Sequence, residues 1–116
     1  MTSGVTTEQG MAALKILVVD DNAAMRGVVR AVLSAFGCTE VKEAPDARTA
    51  FNTLAQEKVD VLIVDWKMKP IDGLALVKRL RDPETSPNPY LPIIMLSAYS
   101  EAAKVRTARD AGVTEF

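Results

Sequence analysis

Apolar and polar positions follow two periods along this chain. Residues 15–20, 59–64 and 92–97 are short, nearly continuous apolar runs, "KILVVD", "VDVLIV" and "PIIMLS". Such runs predict strands buried on both faces. "CTEVKEA" predicts a further, shorter strand. Between these runs the apolar residues recur at helical spacing. Met25, Val28, Val29, Val32, Leu33 and Phe36 form one stripe, with Gly37 placed to stop the helix. Ala47, Ala50, Phe51 and Leu54 form a second, behind Asp46 as N-cap. Leu74, Val77 and Leu80 form the inward side of a helix over 73–81. "SEAAKVRTARDAG" predicts a fourth helix, with Ser100 as N-cap and Gly112 past its end. "RDPETSPNPY", with Pro83, Pro87 and Pro89, is a loop. "VTEF" reads as the beginning of a fifth strand.

Strands alternating with helices predict an α/β fold, a doubly wound parallel sheet with right-handed crossovers and helices on both faces. Open sheets of this kind bind ligands beyond the carboxyl ends of their strands. Asp20, Asp21, Asp65 and Ser97 all fall at such ends.

Composition narrows the chemistry. The 116 residues are 48% hydrophobic and 25% charged, with a net charge of −1. One domain with a real core is expected, and bulk charge offers no nucleic-acid surface. The division expected is a flexible tail over 1–13 and a domain over 14–116. The single cysteine, Cys38, forms no internal disulfide and reads as a small buried hydrophobe; it suits a reducing, cytoplasmic location. The chain has no histidine, which removes the commonest general base and transition-metal ligand. No apolar run approaches the ~20 residues of a membrane span, and the N-terminus has no secretory pattern.

Three carboxylates brought together repel one another unless a cation intervenes. An all-oxygen site suits Mg²⁺ better than zinc. A carboxylate such as Asp65 is then a nucleophile for a phosphoryl group.

"VVDD" (18–21), "LIVDWKM" (62–68), "IDG" (71–73), "PIIMLSA" (92–98) and "ARDAGVTEF" (108–116), in that order and spacing, make the chain resemble the receiver domain of two-component response regulators. The similarity covers residues 14–116. It implies the flavodoxin-like fold, strand order 2-1-3-4-5. It further implies that Asp65 is the phosphoacceptor, and that Asp21 holds Mg²⁺ directly and Asp20 through water. The backbone carbonyl of Lys67 would be a further ligand and Ser97 the switch hydroxyl. The implied donor is a sensor histidine kinase or a histidine phosphotransfer protein, and the output a downstream protein. Such a domain is not an enzyme in its own right; it assists only its own phosphorylation and dephosphorylation.

The chain departs from the family pattern twice. In the loop after Asp65 the proline follows Lys69, one place later than usual. The family's lysine at the end of strand five falls beyond Phe116, and Lys67 and Lys69 sit in the wrong loop to replace it. An incomplete fifth strand and an absent fifth helix would leave the face beside Val28, Val32 and Phe36 uncovered. The expected consequences are self-association or a weakly stable monomer, and slow or undetectable phosphorylation. A receiver-like scaffold that is not phosphorylated is the alternative. An aspartate-nucleophile phosphatase of the haloacid dehalogenase kind is disfavoured, because Lys67 stands where that class places a second acid. A nucleotide-binding Rossmann module is disfavoured because no Gly-rich loop follows the first strand. Trp66 reads as a partly exposed neighbour of the site, Tyr99 as a half-buried aromatic or a gate to the partner surface. Lys104, Arg106 and Arg109 read as a solvated helix face.

Overall fold

The computed structural model describes residues 10, 12–96 and 102–115, the side chains of 102–104 excepted. Among the described residues, strands β1 (Lys15–Val19), β2 (Glu40–Ala44), β3 (Val61–Asp65) and β4 (Ile93–Leu96) alternate with helices α1 (Ala23–Ala35), α2 (Ala47–Gln56), α3 (Gly73–Arg81) and α4 (Ala102–Ala111). The sheet is parallel, in the order β2-β1-β3-β4. After α4 the chain returns to the free edge of β4. There the Thr114 and Glu115 N–H groups both donate to the Ile93 carbonyl, at 2.9 and 3.1 Å, and the Met95 N–H donates to Glu115 at 2.9 Å. This is where the start of a fifth strand was expected; Phe116 lies outside the described residues.

Strand periodicity divides the core in two. Leu17, Val19, Leu62, Val64, Ile93 and Met95 turn to one face, which α2, α3 and α4 cover. Ile16, Val18, Val41 and Ile63 turn to the other, against Cys38 and the half-buried Val29 and Leu33 of α1. Each fully buried leucine or valine contributes about 1.5–3 kcal/mol, so the first, larger cluster carries most of the stability.

The α1 stripe is correspondingly only half used. Val29 and Leu33 reach the sheet, whereas Met25, Val28, Val32 and Phe36 stay exposed, Val28 at 55% and Phe36 at 69%. The uncovered face expected beside Val28, Val32 and Phe36 is present. In α3 the inward face differs from the sequence expectation. Leu76, Val77 and Leu80 are buried and Leu74 only half-buried. The helix starts at Gly73, which faces inward, so the buried positions run 73, 76, 77 and 80.

Each helix that leaves the carboxyl edge of the sheet within the described residues starts on an Asx cap. Asn22 accepts from the Met25 N–H (3.1 Å), Asp46 from Thr49 (2.7 Å) and Asp72 from Ala75 (2.8 Å). Such a cap stabilises by about 1 kcal/mol and fixes where the chain turns from strand to helix. The expected cap Ser100 lies outside the described residues. At the far end, α1 and α4 both stop on a glycine with positive φ, Gly37 (90°) and Gly112 (108°). In each the N–H groups of the glycine and of the residue after it close back onto the last turn. The Arg81 guanidinium donates to the carbonyls of Pro89 (2.9 Å), Leu91 (2.6 Å) and Gly112 (2.8 Å), fastening the proline-rich loop to the end of α4.

Candidate functional site

The sheet register builds the site. Val19 pairs with Val64, so the next residues, Asp20 and Asp65, leave adjacent strands side by side. Asp21 follows immediately. One carboxylate oxygen from each of Asp20, Asp21 and Asp65 lies within 4.8 Å of the others. Asp20 is buried, Asp65 half-buried and Asp21 exposed, so the cluster opens outward through Asp21.

Local hydrogen bonds set the orientations. The Asn22 N–H donates to Asp20 Oδ1 at 2.9 Å, an Asx turn that leads directly into the α1 cap. The backbone N–H of Lys67 donates to the Asp65 carboxylate, and that of Trp66 donates across to the Leu96 carbonyl at 3.1 Å, with a weaker pull on Asp65. They hold its charged form, but less strongly than burial and the charges of Asp20 and Asp21 oppose it. Burial is the largest cause, and the Asp65 carboxyl is pushed up from its ordinary value.

Some positioning residues carry no local signal in the sequence. Arg26 donates to the Asp20 carbonyl at 2.7 Å and to Glu43 at 3.0 Å, while Arg30 meets the other Glu43 oxygen at 2.9 Å. The Arg30 hydrogen bond, then that of Arg26, holds the Glu43 carboxyl below its ordinary value. Together they tie α1 to the ends of β1 and β2. Gly73 is the second kind. Its N–H donates to the Trp66 carbonyl at 2.8 Å, and a Cβ there would collide with the Asp65 carbonyl oxygen. Helix α3 therefore starts against the backbone of the acid that ends β3. Met68 is buried beneath the connecting loop, Trp66 and Ile71 pack half-buried against the same core, and the Lys69–Pro70 peptide bond is cis.

The structure thus brings Asp20, Asp21 and Asp65 together, with Lys67 beside Asp65 through its N–H. Ser97 and Tyr99 lie outside the described residues. Leu96, the residue before Ser97, pairs with Asp65. Three carboxylates with no nitrogen or sulfur donor among them form a donor set for a hard cation such as Mg²⁺. Cys38 is buried on the α1 face of the sheet, as expected of a small hydrophobe. No helix among the described residues is long and apolar enough to cross a membrane.

Comparison with known proteins bears on this geometry. Residues 16–116 match the family described as the response regulator receiver domain. A chemotaxis protein CheY homolog of Campylobacter jejuni is 38% identical over 104 residues, 89% of this chain and 78% of the relative. Chemotaxis protein CheY1 of Helicobacter pylori is 39% identical over 104 residues, 89% of this chain and 82% of the relative. The solved structure of Vibrio cholerae chemotaxis protein CheY4, crystallized at pH 4.0, superposes with a TM-score of 0.78 at 31% identity, covering 88% of this chain and 82% of that one.

Proposed function

The chain belongs to the response regulator receiver domain family of two-component signalling, and from that premise we propose that Asp65 is its phosphoacceptor. The donor would be the phosphohistidine of a sensor histidine kinase or a histidine phosphotransfer protein. One observation carries the reading. Of the three clustered acids, Asp65 ends the central strand β3, and burial and the two neighbouring charges raise its proton affinity. A carboxylate held against its neighbours' charge gains when a cation neutralises that repulsion.

In the proposed transfer an Asp65 Oδ attacks phosphorus. The O–P bond forms as the P–N bond to the donor imidazole breaks, and the electron pair leaves with the imidazole. The Lys67 N–H keeps the attacking carboxylate in place, and the Asn22 N–H keeps Asp20 turned into the cluster. Asp20, Asp21, Asp65 and the Lys67 carbonyl would hold Mg²⁺, which when bound neutralises the acids and the charge of the transferring group. The test is incubation with acetyl phosphate and Mg²⁺ followed by intact mass. It is run on this chain and on the same chain extended through a fifth strand that ends in lysine. A mass increment of one phosphoryl group supports the reading; its absence from both chains overturns it.

Two further expectations belong to this reading. Trp66, the sole tryptophan, adjoins Asp65, so its fluorescence should report Mg²⁺. Asp21→Ala removes one of three charged ligands. Loss of a mere outer partner of a metal site costs about 10- to 100-fold in affinity, so the half-saturating Mg²⁺ concentration should rise at least about tenfold. Superimposable titrations of the two proteins would remove Asp21 from the site. Ser97 is proposed as the switch hydroxyl, donating to a phosphoryl oxygen and thereby favouring the phosphorylated conformation. A hydrogen bond to a charged group is worth about 1.5–3 kcal/mol, so Ser97→Ala should accept phosphate yet lose about tenfold or more of its phosphorylation-dependent partner affinity. Full partner response in that variant would take the hydroxyl out of the mechanism.

A further inference from the structure

On the more heavily packed face of the sheet, α2 and α3 do not close completely against each other. They leave a cleft of about 260 Å³. Its floor is apolar: Ala47 and Leu76 are buried, Phe51 and Ile71 half-buried. Its rim carries two arginines, Arg48 from α2 and Arg79 from α3, both exposed. None of the three site aspartates lines it.

The two rim arginines differ from the other cations whose partners are known. Arg26 and Arg30 are paired with Glu43, Lys42 with Glu57, and Arg81 is engaged with three carbonyls. Among the described residues neither Arg48 nor Arg79 donates a side-chain hydrogen bond or makes an ion pair. Asp46, two residues before Arg48, is engaged as the α2 cap and attracts the Arg48 charge without forming an ion pair. The Arg79 guanidinium lies over the Phe51 ring, 5.8 Å from its centroid. A cation–π contact at this distance uses none of the guanidinium N–H donors, so the planar fork that suits a carboxylate stays available. Lys78 adds a further positive charge in the same turn of α3.

We propose that the cleft between α2 and α3 is a docking site for an acidic segment of a partner protein, which seats one large apolar side chain on the floor and sets its carboxylates on Arg48 and Arg79. Size supports a peptide anchor. Small-molecule and cofactor pockets usually enclose about 300–1,000 Å³, and this cleft is smaller and open on one side. Charge supports an acidic partner, and the apolar floor together with the chain's net charge of −1 favours a peptide over a nucleic acid.

The test is an NMR titration of the isotope-labelled chain with a short synthetic peptide that has one leucine flanked by aspartates and glutamates. Neither Mg²⁺ nor a phosphodonor is present, so the result is independent of the reading of Asp65. Amide shifts are expected at Ala47, Phe51, Ile71 and Leu76. Arg48→Ala and Arg79→Ala should each weaken binding about threefold and the double variant about tenfold, as for exposed ion pairs. Replacing the peptide's leucine with serine should cost about tenfold or more. Converting its acids to amides, which leaves the protein untouched, should reproduce the loss seen in the double variant. No shifts at those four amides would overturn the proposal. So would equal binding by the amide peptide or by the serine peptide. Stronger shifts at the same amides with a single-stranded oligonucleotide would overturn it in favour of a phosphate-binding surface.

Discussion

Asp65→Asn should abolish the acetyl phosphate mass increment, in this chain and in the extended one alike, while leaving the fold intact. Asparagine keeps the size of the side chain and its capacity to accept hydrogen bonds, but it has no carboxylate to attack phosphorus. The same substitution should change the pH dependence of stability in a direction set by the site. Burial first, then Asp20 and Asp21, raise the Asp65 pKa in the folded state. The native state therefore binds this proton more tightly than the unfolded state does. Without Mg²⁺, that contribution to stability is fully present below the ordinary carboxylate range. It is lost as pH rises through the raised value. Above it the ionised Asp65 is a standing electrostatic cost, which asparagine removes. Thermal melts without Mg²⁺ should accordingly show Asp65→Asn at least as stable as the wild type at neutral pH, with a flatter profile across the acidic window. Added Mg²⁺ should raise the wild-type Tm more than that of the variant. An undiminished mass increment in Asp65→Asn would refute the assignment of the acceptor. A variant less stable than the wild type at neutral pH would refute the electrostatic account.

Gly73→Ala should be strongly damaging for a single added methyl group. The added Cβ meets the Asp65 carbonyl oxygen and lies 3.1 Å from Trp66 Cα, both backbone atoms that no side-chain rotation can move aside. Overpacking of this kind costs about 1–3 kcal/mol. For a domain of this size each kcal/mol lowers Tm by about 4 °C. Relief requires α3 to move away from β3, which shifts the backbone of Asp65, the proposed acceptor, so phosphate incorporation should fall together with Tm. Gly27→Ala is the control. Gly27 lies within α1 and nothing stands within 4 Å of its added Cβ. There alanine should stabilise by about 0.5–1 kcal/mol, the ordinary gain in a helix interior. Equal effects of the two substitutions would show that the close approach at Gly73 does not matter.

The contrast between these two glycines marks the limit of what was legible along the chain. Both stand in helices, and helix propensity treats them alike. What separates them is the position of β3, which comes from the packing of α3 on the sheet. The acid cluster proposed as the phosphorylation site, by contrast, was largely readable. Strand ends are marked locally by the change from apolar to acidic residues, and the parallel topology gathers all such ends along one edge. Asp20, Asp21 and Asp65 could therefore be grouped before any distance was known. So could the Asp46 cap and the two terminating glycines, Gly37 and Gly112, because a cap is satisfied within a few residues of itself.

Periodicity also fixed which side of α1 is apolar, but not how much of that side is covered. Val29 and Leu33 meet the sheet while Val28, Val32 and Phe36 do not, because coverage depends on how many elements pack on that face. In α3 the choice of Leu76 over Leu74 followed from the rotation of the helix once Gly73 was set against Asp65. The Arg26–Glu43 pair spans 17 residues, and the two arginines at the rim of the α2–α3 cleft stand on different helices. The order and type of the elements and the acids at their ends follow from interactions local in sequence, which the chain determines by itself. The tie of α1 across β1 and β2, the approach of Gly73 and the cleft between α2 and α3 were decided only by the tertiary structure, because each depends on the relative placement of elements far apart in the chain.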